Sequence, residues 1–398
     1  MDKACPTPEP FSDMVWNIIF LTLLFFLTFI SRFIFAPLMP TIGPDLGITP
    51  SQAGSVFLLG SVGVFVAALA SGFVSSRINH RGTLTLSTFG VGLALLACYF
   101  STSVWGIRLV MIVLGMAAGL NLPSAVATIT AMVSRQDWGK ALAVQQMAPP
   151  LSLVLGPLLS VVLLIWFSWR TSLACLGGFS IFVGLAFVKY GKFGDFPGDA
   201  PSPSLIKIIL SQRSFWIMVI LFALGMGGQV GVYAMLPLYL VTERGLAAES
   251  ANTLLGLSQI SALFMTFFAG WVTDKIGEKR TIALFLLTSG AVTVLIGSLS
   301  GTWLKVAVFL QPALIVCFFP PAFAALSRIV QPYMRSLAAG MGPPTAFFLG
   351  GGLLPAALGY MGENYTFGLG IVLSGCIMML GAVLVVFLKL LEKMEDGC

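Results

Sequence analysis

Charge is what this chain has least of. Asp, Glu, Lys and Arg together make up 9% of its 398 residues, hydrophobic residues make up 58%, and the mean hydropathy is +0.98. A water-soluble domain carries about a quarter of its residues charged, so a soluble globule is excluded. Histidine is all but missing: His80 stands alone, in a loop, and is a poor candidate for a proton relay. The six cysteines (5, 98, 175, 317, 376 and 398) lack metal-ligand spacing, and four sit inside apolar runs, as buried structural thiols do. The sequence contains no phosphate-cradling glycine loop, nucleophile constellation or metal set. An enzyme therefore has no support, and no cofactor or metal is expected. The net charge of +6 does not read as nucleic-acid binding, because the basic residues are scattered singly through short loops.

What the chain has is long apolar runs. A membrane-crossing helix needs about 20 mostly apolar residues. Such runs lie at 14–39, 52–75, 83–103, 107–133, 140–165 and 171–188, then at 214–240, 250–273, 281–299, 304–327, 336–359 and 367–390. They predict an all-α polytopic membrane protein with twelve transmembrane helices, spans 1 to 12, in two pseudo-symmetric six-helix bundles. Residues 1–188 form the first bundle and 214–398 the second, joined by a cytoplasmic linker, 189–213, rich in Gly, Pro and Asp. The 32 Phe and 43 Gly suit such a protein, since small residues let membrane helices approach closely.

Residues 1–13 hold Asp2, Glu9 and Asp13 against Lys3, the wrong polarity for a cleaved signal peptide, and are expected to be retained. With that end inside, sixteen of the 21 basic residues fall on inner segments. Four lie at outer ends (Arg108, Arg170, Arg244 and Lys305), and Arg32 is left over. The imbalance places both termini in the cytoplasm of a cell whose plasma or inner membrane the chain spans. Asn364-Tyr-Thr366 is formally a glycosylation acceptor, but chance produces such triplets often, and it is not read as a site.

The halves repeat each other. Gly72-Phe-Val-Ser-Ser-Arg77-Ile-Asn-His-Arg81 and Gly270-Trp-Val-Thr-Asp274-Lys-Ile-Gly277-Glu-Lys279-Arg280 each lie between two apolar runs, 198 residues apart. Ala36…Gly47 aligns with Ala234…Gly245 at the same offset. Lys140-Ala-Leu-Ala aligns with Arg335-Ser-Leu-Ala at 195, and Ala148-Pro149-Pro150 with Gly342-Pro343-Pro344 at 194. Self-similarity of this kind marks a duplicated fold, and duplicated membrane halves are the architecture of a large class of solute carriers.

On these residues the chain resembles a member of the major facilitator superfamily over nearly its whole length. The loop between spans 8 and 9 carries that signature whole, in Gly270, Asp274, Lys275, Gly277, Lys279 and Arg280. The loop between spans 2 and 3 is degenerate, with Ser76 where Asp is usual and Asn79 where Gly is usual. Arg108, Gly115 and Gly119 on span 4, then Arg135, and Trp169-Arg170 at the start of span 6, are also similar to the family's patterns.

The resemblance implies that contacts of these loops latch the outward-open state, making Arg77, Arg81, Gly270, Asp274, Gly277 and Arg280 gating candidates. Gly270 would permit close packing of span 8 and Gly277 would close a tight turn. Asp274 can pair with a basic side chain or cap a neighbouring helix. The plainer reading is a topological anchor of Lys and Arg. Without a carboxylate at Ser76, the first half's latch is expected to be the weaker.

Arg32 is the most informative single residue. It lies well inside the apolar run 18–39, where a cation costs a few kcal/mol or more, so it must face a cavity or find a partner. Its setting, Arg32-Phe-Ile-Phe-Ala-Pro37-Leu-Met-Pro40, resembles helix 1 of the anion:cation symporter branch. There an Arg eight residues before a Pro is a carboxylate-binding group, a role suited to the fork of a guanidinium. The alternative is that Arg32 snorkels outward or binds backbone carbonyls. Arg108, near the outer end of span 4, is either a second cationic contact or a packing residue.

None of the 15 Asp and Glu falls in the middle of a span. A positive cavity without an acidic group favours an anionic substrate. Polar side chains inside the spans complete the candidate site: Asn121, Gln145 and Gln146 in the first half, then Gln229, Tyr233, Gln259 and Gln311. Buried amides need hydrogen-bond partners, so these face the bundle interior, where partner helices or a ligand can satisfy them. By the repeat, Gln229 and Tyr233 stand at the level of Arg32. Pro149, Pro150, Gly156 and Pro157 on span 5, with Pro343 and Pro344 on span 11, are hinge candidates, because proline removes ladder hydrogen bonds.

The expected function is secondary transport of a small carboxylate-type organic anion by a monomer, through alternating access. The rival reading is efflux of amphipathic drugs or metabolites, for which Gly156-Pro157 offers a weak signal. A non-transporting sensor or assembly factor is the third, supported by the degenerate first loop.

Overall fold

The computed structural model describes residues 11–198 and 203–390. Among these, ten helical runs are long and apolar enough to cross a bilayer. One of them, Pro50–Cys98, has 49 residues. At 1.5 Å per residue that is about 70 Å, more than twice the hydrocarbon thickness. It is two helices joined at Asn79, whose backbone leaves the helical region (φ 59, ψ 174). A further run, Ala248–Ile276, consists of two pieces bent by 45°. Counting both arms of the first and taking the second as one span gives the twelve helices expected. Cys5, Cys398 and the chain ends on which the cytoplasmic termini rest lie outside the described residues.

Several spans are broken, each for a local reason. Span 1 is Phe11–Phe33 followed by Phe35–Leu46. Pro37 has no N–H to offer the carbonyl at Phe33 and its ring crowds that carbonyl, so the helix parts at Ile34. Span 5 is Trp138–Gln145 and then Ala148–Trp166, restarting where Pro149 and Pro150 occupy first-turn positions that need no N–H donor. Span 7 runs Arg213–Met226, a π turn Gly227–Gly231, and Val232–Thr242. Span 11 runs Arg335–Phe347, a π turn Phe348–Leu353, and Leu354–Asn364. Spans 4, 6, 9 and 12 begin at Val104, Trp169, Glu278 and Phe367, and span 10 covers Gly301–Arg328.

Hydroxyl caps fix three helix starts. Ser103, Ser168 and Thr366 accept from the backbone N–H groups of Gly106, Thr171 and Leu369. The Asn364-Tyr-Thr366 triplet is thus a capping signal, with the Thr hydroxyl committed to span 12. The linker contains a short helix, Pro203–Leu210, that the sequence reading did not anticipate.

The chain forms two compact units. The first is Met1–Ile34 with Val62–Ala200; the second is Phe35–Ser61 with Pro201–Cys398. In the first, one face of span 1 (Met14, Ile18, Leu21, Leu24, Leu27 and Ile30, at helical spacing) packs with Leu84, Ile129, Val183 and Phe187. Gly92 of span 3 lies against Gly177 of span 6, where a Cβ would stand 3.0 Å from the Gly177 carbonyl.

In the second unit, Gly290 of span 9 lies in the same way against Gly375 of span 12, at 2.8 Å. Both glycines of this crossing are displaced by 198 from those of the first, so the duplication extends to the helix contacts themselves. Its core includes an aromatic cluster, with Phe222 edge-on to Phe318 and Phe323.

The second arm of span 1 and the first half of span 2, Phe35–Ser61, also belong to this second unit. Asn252 Nδ2 donates to the Pro37 carbonyl at 3.0 Å, and Ser51 N–H donates to Glu363 Oε2 at 2.9 Å. Gly54 and Gly359 leave no room for a Cβ against the carbonyls of Pro355 and Pro50.

Candidate functional site

Arg32 occupies the last turn of Phe11–Phe33, where a cation is favoured. Its Nε donates to the Thr28 carbonyl at 3.0 Å, and its guanidinium lies 5.0 Å from the Phe29 ring and 5.5 Å from Phe33. Those two rings stack on each other at 5.6 Å. Arg32 is 6% exposed, whereas side chains on the lipid side, such as Trp166 at 79%, stand bare. The charge is therefore packed within protein and does not point at lipid.

The other polar candidates of the first unit are buried too. Asn121 donates to Ser87 Oγ at 3.5 Å, and its Oδ1 has no protein partner. Gln145, at the end of the first piece of span 5, is fully buried with both amide atoms lacking a protein partner. Its neighbour Gln146 is exposed. Ser152, seven residues after Gln145, reaches the Phe26 carbonyl of span 1. Since spans 1 and 5 run parallel in the expected topology, Gln145 lies more than two turns inward of Arg32, and the structure does not bring them together. Arg108 lies over the Trp105 ring at 4.6 Å.

In the second unit Gln229 is half-buried inside the π turn, and Tyr233 follows one turn later, buried. Gln259 is buried on span 8. Gln311 is buried on span 10, and its Nε2 donates to the Gly228 carbonyl of the π turn at 2.9 Å. Gly156 and Pro157 are buried within span 5, and Pro343 and Pro344 lie inside the helix Arg335–Phe347 that leads into the π turn of span 11.

The two signature loops share a backbone. Gly277 turns with φ 82, ψ 159, and Asn79, 198 residues earlier, takes φ 59, ψ 174. This region is essentially reserved for glycine. Asn79 holds it while its Oδ1 accepts from Gly82 N–H at 2.8 Å, capping span 3. Gly270 has open space where its Cβ would be, so the close packing expected of it is not found.

Among the described residues Asp274 and Arg280 are exposed and make no ion pair; the bond made here is Arg328 to Glu278, at 2.7 Å. It joins the end of span 10 to the start of span 9, and nothing in the local sequence marks it. Arg77 is exposed over Phe73 at 4.5 Å, as an interface anchor is.

Arg81 finds a carboxylate that Ser76 does not supply. Its Nη1 meets Asp195 at 3.1 Å and its Nη2 donates to the Val188 carbonyl at 2.8 Å. The linker stretch around Asp195 lies along the loop, with Arg81 N–H donating to the Gly194 carbonyl, His80 N–H to Phe196, and Gly198 N–H to Ser75. Both partners of the ion pair are partly exposed, so Asp195→Asn is expected to cost under about 1 kcal/mol. Arg81→Ala also strips the Val188 carbonyl and should cost about 1–2 kcal/mol in detergent unfolding.

A second cluster escaped the sequence reading. Glu243 accepts from the backbone N–H groups of Phe367 (2.6 Å) and Gly368 (3.1 Å), adding a charge to the Thr366 cap. Arg244 donates to Tyr239 Oη and to the Gly297 carbonyl, and Tyr239 donates to Ile296. The end of span 7, the end of span 9 and the start of span 12 are stapled together. Glu243→Ala is expected to lower stability by about 1–2 kcal/mol without changing substrate affinity, as thermal unfolding and uptake would register.

Broken helices with buried polar groups, arranged as a repeat in a helical membrane chain, define a polytopic solute carrier. The chain belongs to the Major Facilitator Superfamily, whose model matches residues 21–342 and 240–397. It is similar to the membrane sensor protein UhpC of Salmonella typhimurium, 23% identical over 300 residues, which are 69% of this chain and 67% of that one. It is also 23% identical over 305 residues to the 4-hydroxybenzoate transporter PcaK of Acinetobacter baylyi, covering 65% of each. The chain thus spans about two thirds of the length of these relatives. Among solved structures, a bacterial homologue of the human lysosomal transporter Spinster, inward-facing and occupied, superposes with a TM-score of 0.82 at 14% identity. It covers 96% of this chain and 97% of that one, and establishes the fold. The protein is a membrane transporter and not an enzyme.

Proposed function

We propose that this transporter carries a small organic anion of the carboxylate type by alternating access, with Arg32 binding the carboxylate. The observation that carries the reading is a guanidinium packed inside the protein in a chain with no acidic residue in the middle of any span. Similarity to a protein described as a 4-hydroxybenzoate transporter supports the same substrate class. The neutral donors Gln229 and Tyr233, at the repeat-equivalent level of span 7, would bind the rest of the substrate, with Asn121 and Gln259 as further polar lining. The halves 1–188 and 214–398 rock about the linker 189–213, with Asp274, Gly277 and Arg280 at the inner gate and the prolines of spans 5 and 11 as hinges. The protein works as a monomer in the cytoplasmic membrane with both termini inside.

Uptake of 4-hydroxybenzoate into proteoliposomes tests this. The acid should be carried, and 4-hydroxybenzamide, the same shape without the charge, should compete at least about tenfold less well. Equal competition by the amide would remove the anion reading. Resemblance to a membrane sensor protein favours a second reading, a receptor on the carrier fold, and that reading holds if the acid stabilises the protein against heat but no flux occurs.

A further inference from the structure

Span 7 changes its winding where the candidate polar residues begin. Gly227–Gly231 forms a π turn between two α-helical stretches, and such turns interrupt the regular i to i−4 ladder. The buried amide of Gln311, from span 10, donates to the Gly228 carbonyl at 2.9 Å. The same turn is hemmed in on its other sides. A side chain on Gly228 would strike Met378 and Ile315, and one on Gly231 would strike the carbonyl of Gly350. Gly350 lies in the π turn of span 11, and a side chain on it would strike the Ala223 carbonyl.

A π turn inserts one residue into the helix. One residue is about 100° of rotation, so the turn decides which way every side chain from Val232 onward faces relative to those before Gly227. Tyr233 lies just past the insertion and Gln229 lies inside it. Rewinding to a plain α-helix would carry Tyr233 away from its present direction by that angle.

We propose that Gln311 is a positioning residue. Its amide holds the π turn of span 7 and thereby aims Gln229 and Tyr233 at the substrate. The proposal rests on the reading of those two side chains as substrate contacts. It gives Gln311 a role through the backbone of another helix in place of a direct contact.

The test compares Gln311→Met, equal in length but unable to donate, with wild type in the full chain. Amide hydrogen exchange over 223–236, measured without substrate, should rise in the variant. The half-saturation concentration for 4-hydroxybenzoate uptake should rise about tenfold, with maximal rate and thermal midpoint little changed. In a Gln229→Ala, Tyr233→Phe background the same substitution should add little, because the contacts it aims are already gone. Gln311→Asn, one methylene short of Gly228, substitutes if the Met variant does not assemble.

Unchanged exchange, or a full additional loss in the double background, overturns the proposal. Faster exchange with unaltered half-saturation overturns its link to substrate. If wild type does not carry 4-hydroxybenzoate, the anion reading fails on its own, and the exchange measurement still decides whether Gln311 holds the turn.

Discussion

Arg32→Ala is expected to abolish carboxylate uptake while leaving the protein as stable as before or slightly more so. The two effects have opposite signs for one reason. Holding a guanidinium out of water is costly, so its removal relieves a desolvation penalty that offsets the packing lost with its stem. The bond to Thr28 and the contacts with Phe29 and Phe33 are local, made within one helix. The Thr28 carbonyl sits within a helix, so the loss there is small. Binding a carboxylate at the same guanidinium is a different matter. Two charge-assisted hydrogen bonds are together worth about 3–5 kcal/mol, so uptake should fall by two orders of magnitude or more. Arg32→Lys keeps the charge and loses the fork, and should recover only a small part of the activity. The measurements are initial uptake rates in proteoliposomes and the unfolding midpoint of the same preparations. An Arg32→Ala protein that still carries the acid would leave the fold standing and its cargo open.

Much of this molecule is written plainly in its sequence, because the bilayer imposes one rule on every span. An apolar run of about 20 residues has to be a helix. Hence the ends of spans 4, 6, 9 and 12 fall within a few residues of the hydropathy reading. The signature loops were legible for a similar reason: a tight turn needs the backbone that Gly277 adopts, and the repeat places Asn79 at the same point.

What was not legible depends on contacts far along the chain. Asp195 answers the carboxylate missing at Ser76, but it lies in the linker, more than a hundred residues away. The glycine crossings of spans 3 with 6 and 9 with 12 keep the offset of 198, yet single glycines among 43 reveal nothing until the facing helix is known. The π turns lie against neighbouring helices that the local sequence does not reveal. Gln311 could be recognised as buried, and only the structure shows that its partner is a backbone carbonyl. Gln145 keeps the opposite lesson: a buried amide foreseen as a candidate stands in this state with no protein partner at all.

The packing of Phe35–Ser61 in the second unit leads to an effect of comparable size. Gly359→Leu is expected to slow transport by about 5- to 150-fold while the unit's aromatic core stays intact. A Cβ there runs into the carbonyl of Pro50, just as one on Gly54 runs into that of Pro355. A backbone oxygen cannot turn aside as a side chain can, so the first half of span 2 has to leave span 11. Overpacking of this kind costs about 1–3 kcal/mol, and that energy corresponds to the 5- to 150-fold change in the equilibrium between packed and released arms.

Leaving also breaks the bond from Ser51 N–H to Glu363. If the arm of residues 35–61 docks and releases in each cycle, a carrier that rarely docks turns over in proportion. Gly340→Ala, at a glycine with nothing within 4 Å, is the control and should transport normally. A cysteine placed at Ser55 gives the second readout, since maleimide added from outside should label it faster in the Gly359→Leu protein. Labelling that rises while uptake is unaffected would show that this docking holds the resting structure together and takes no part in transport.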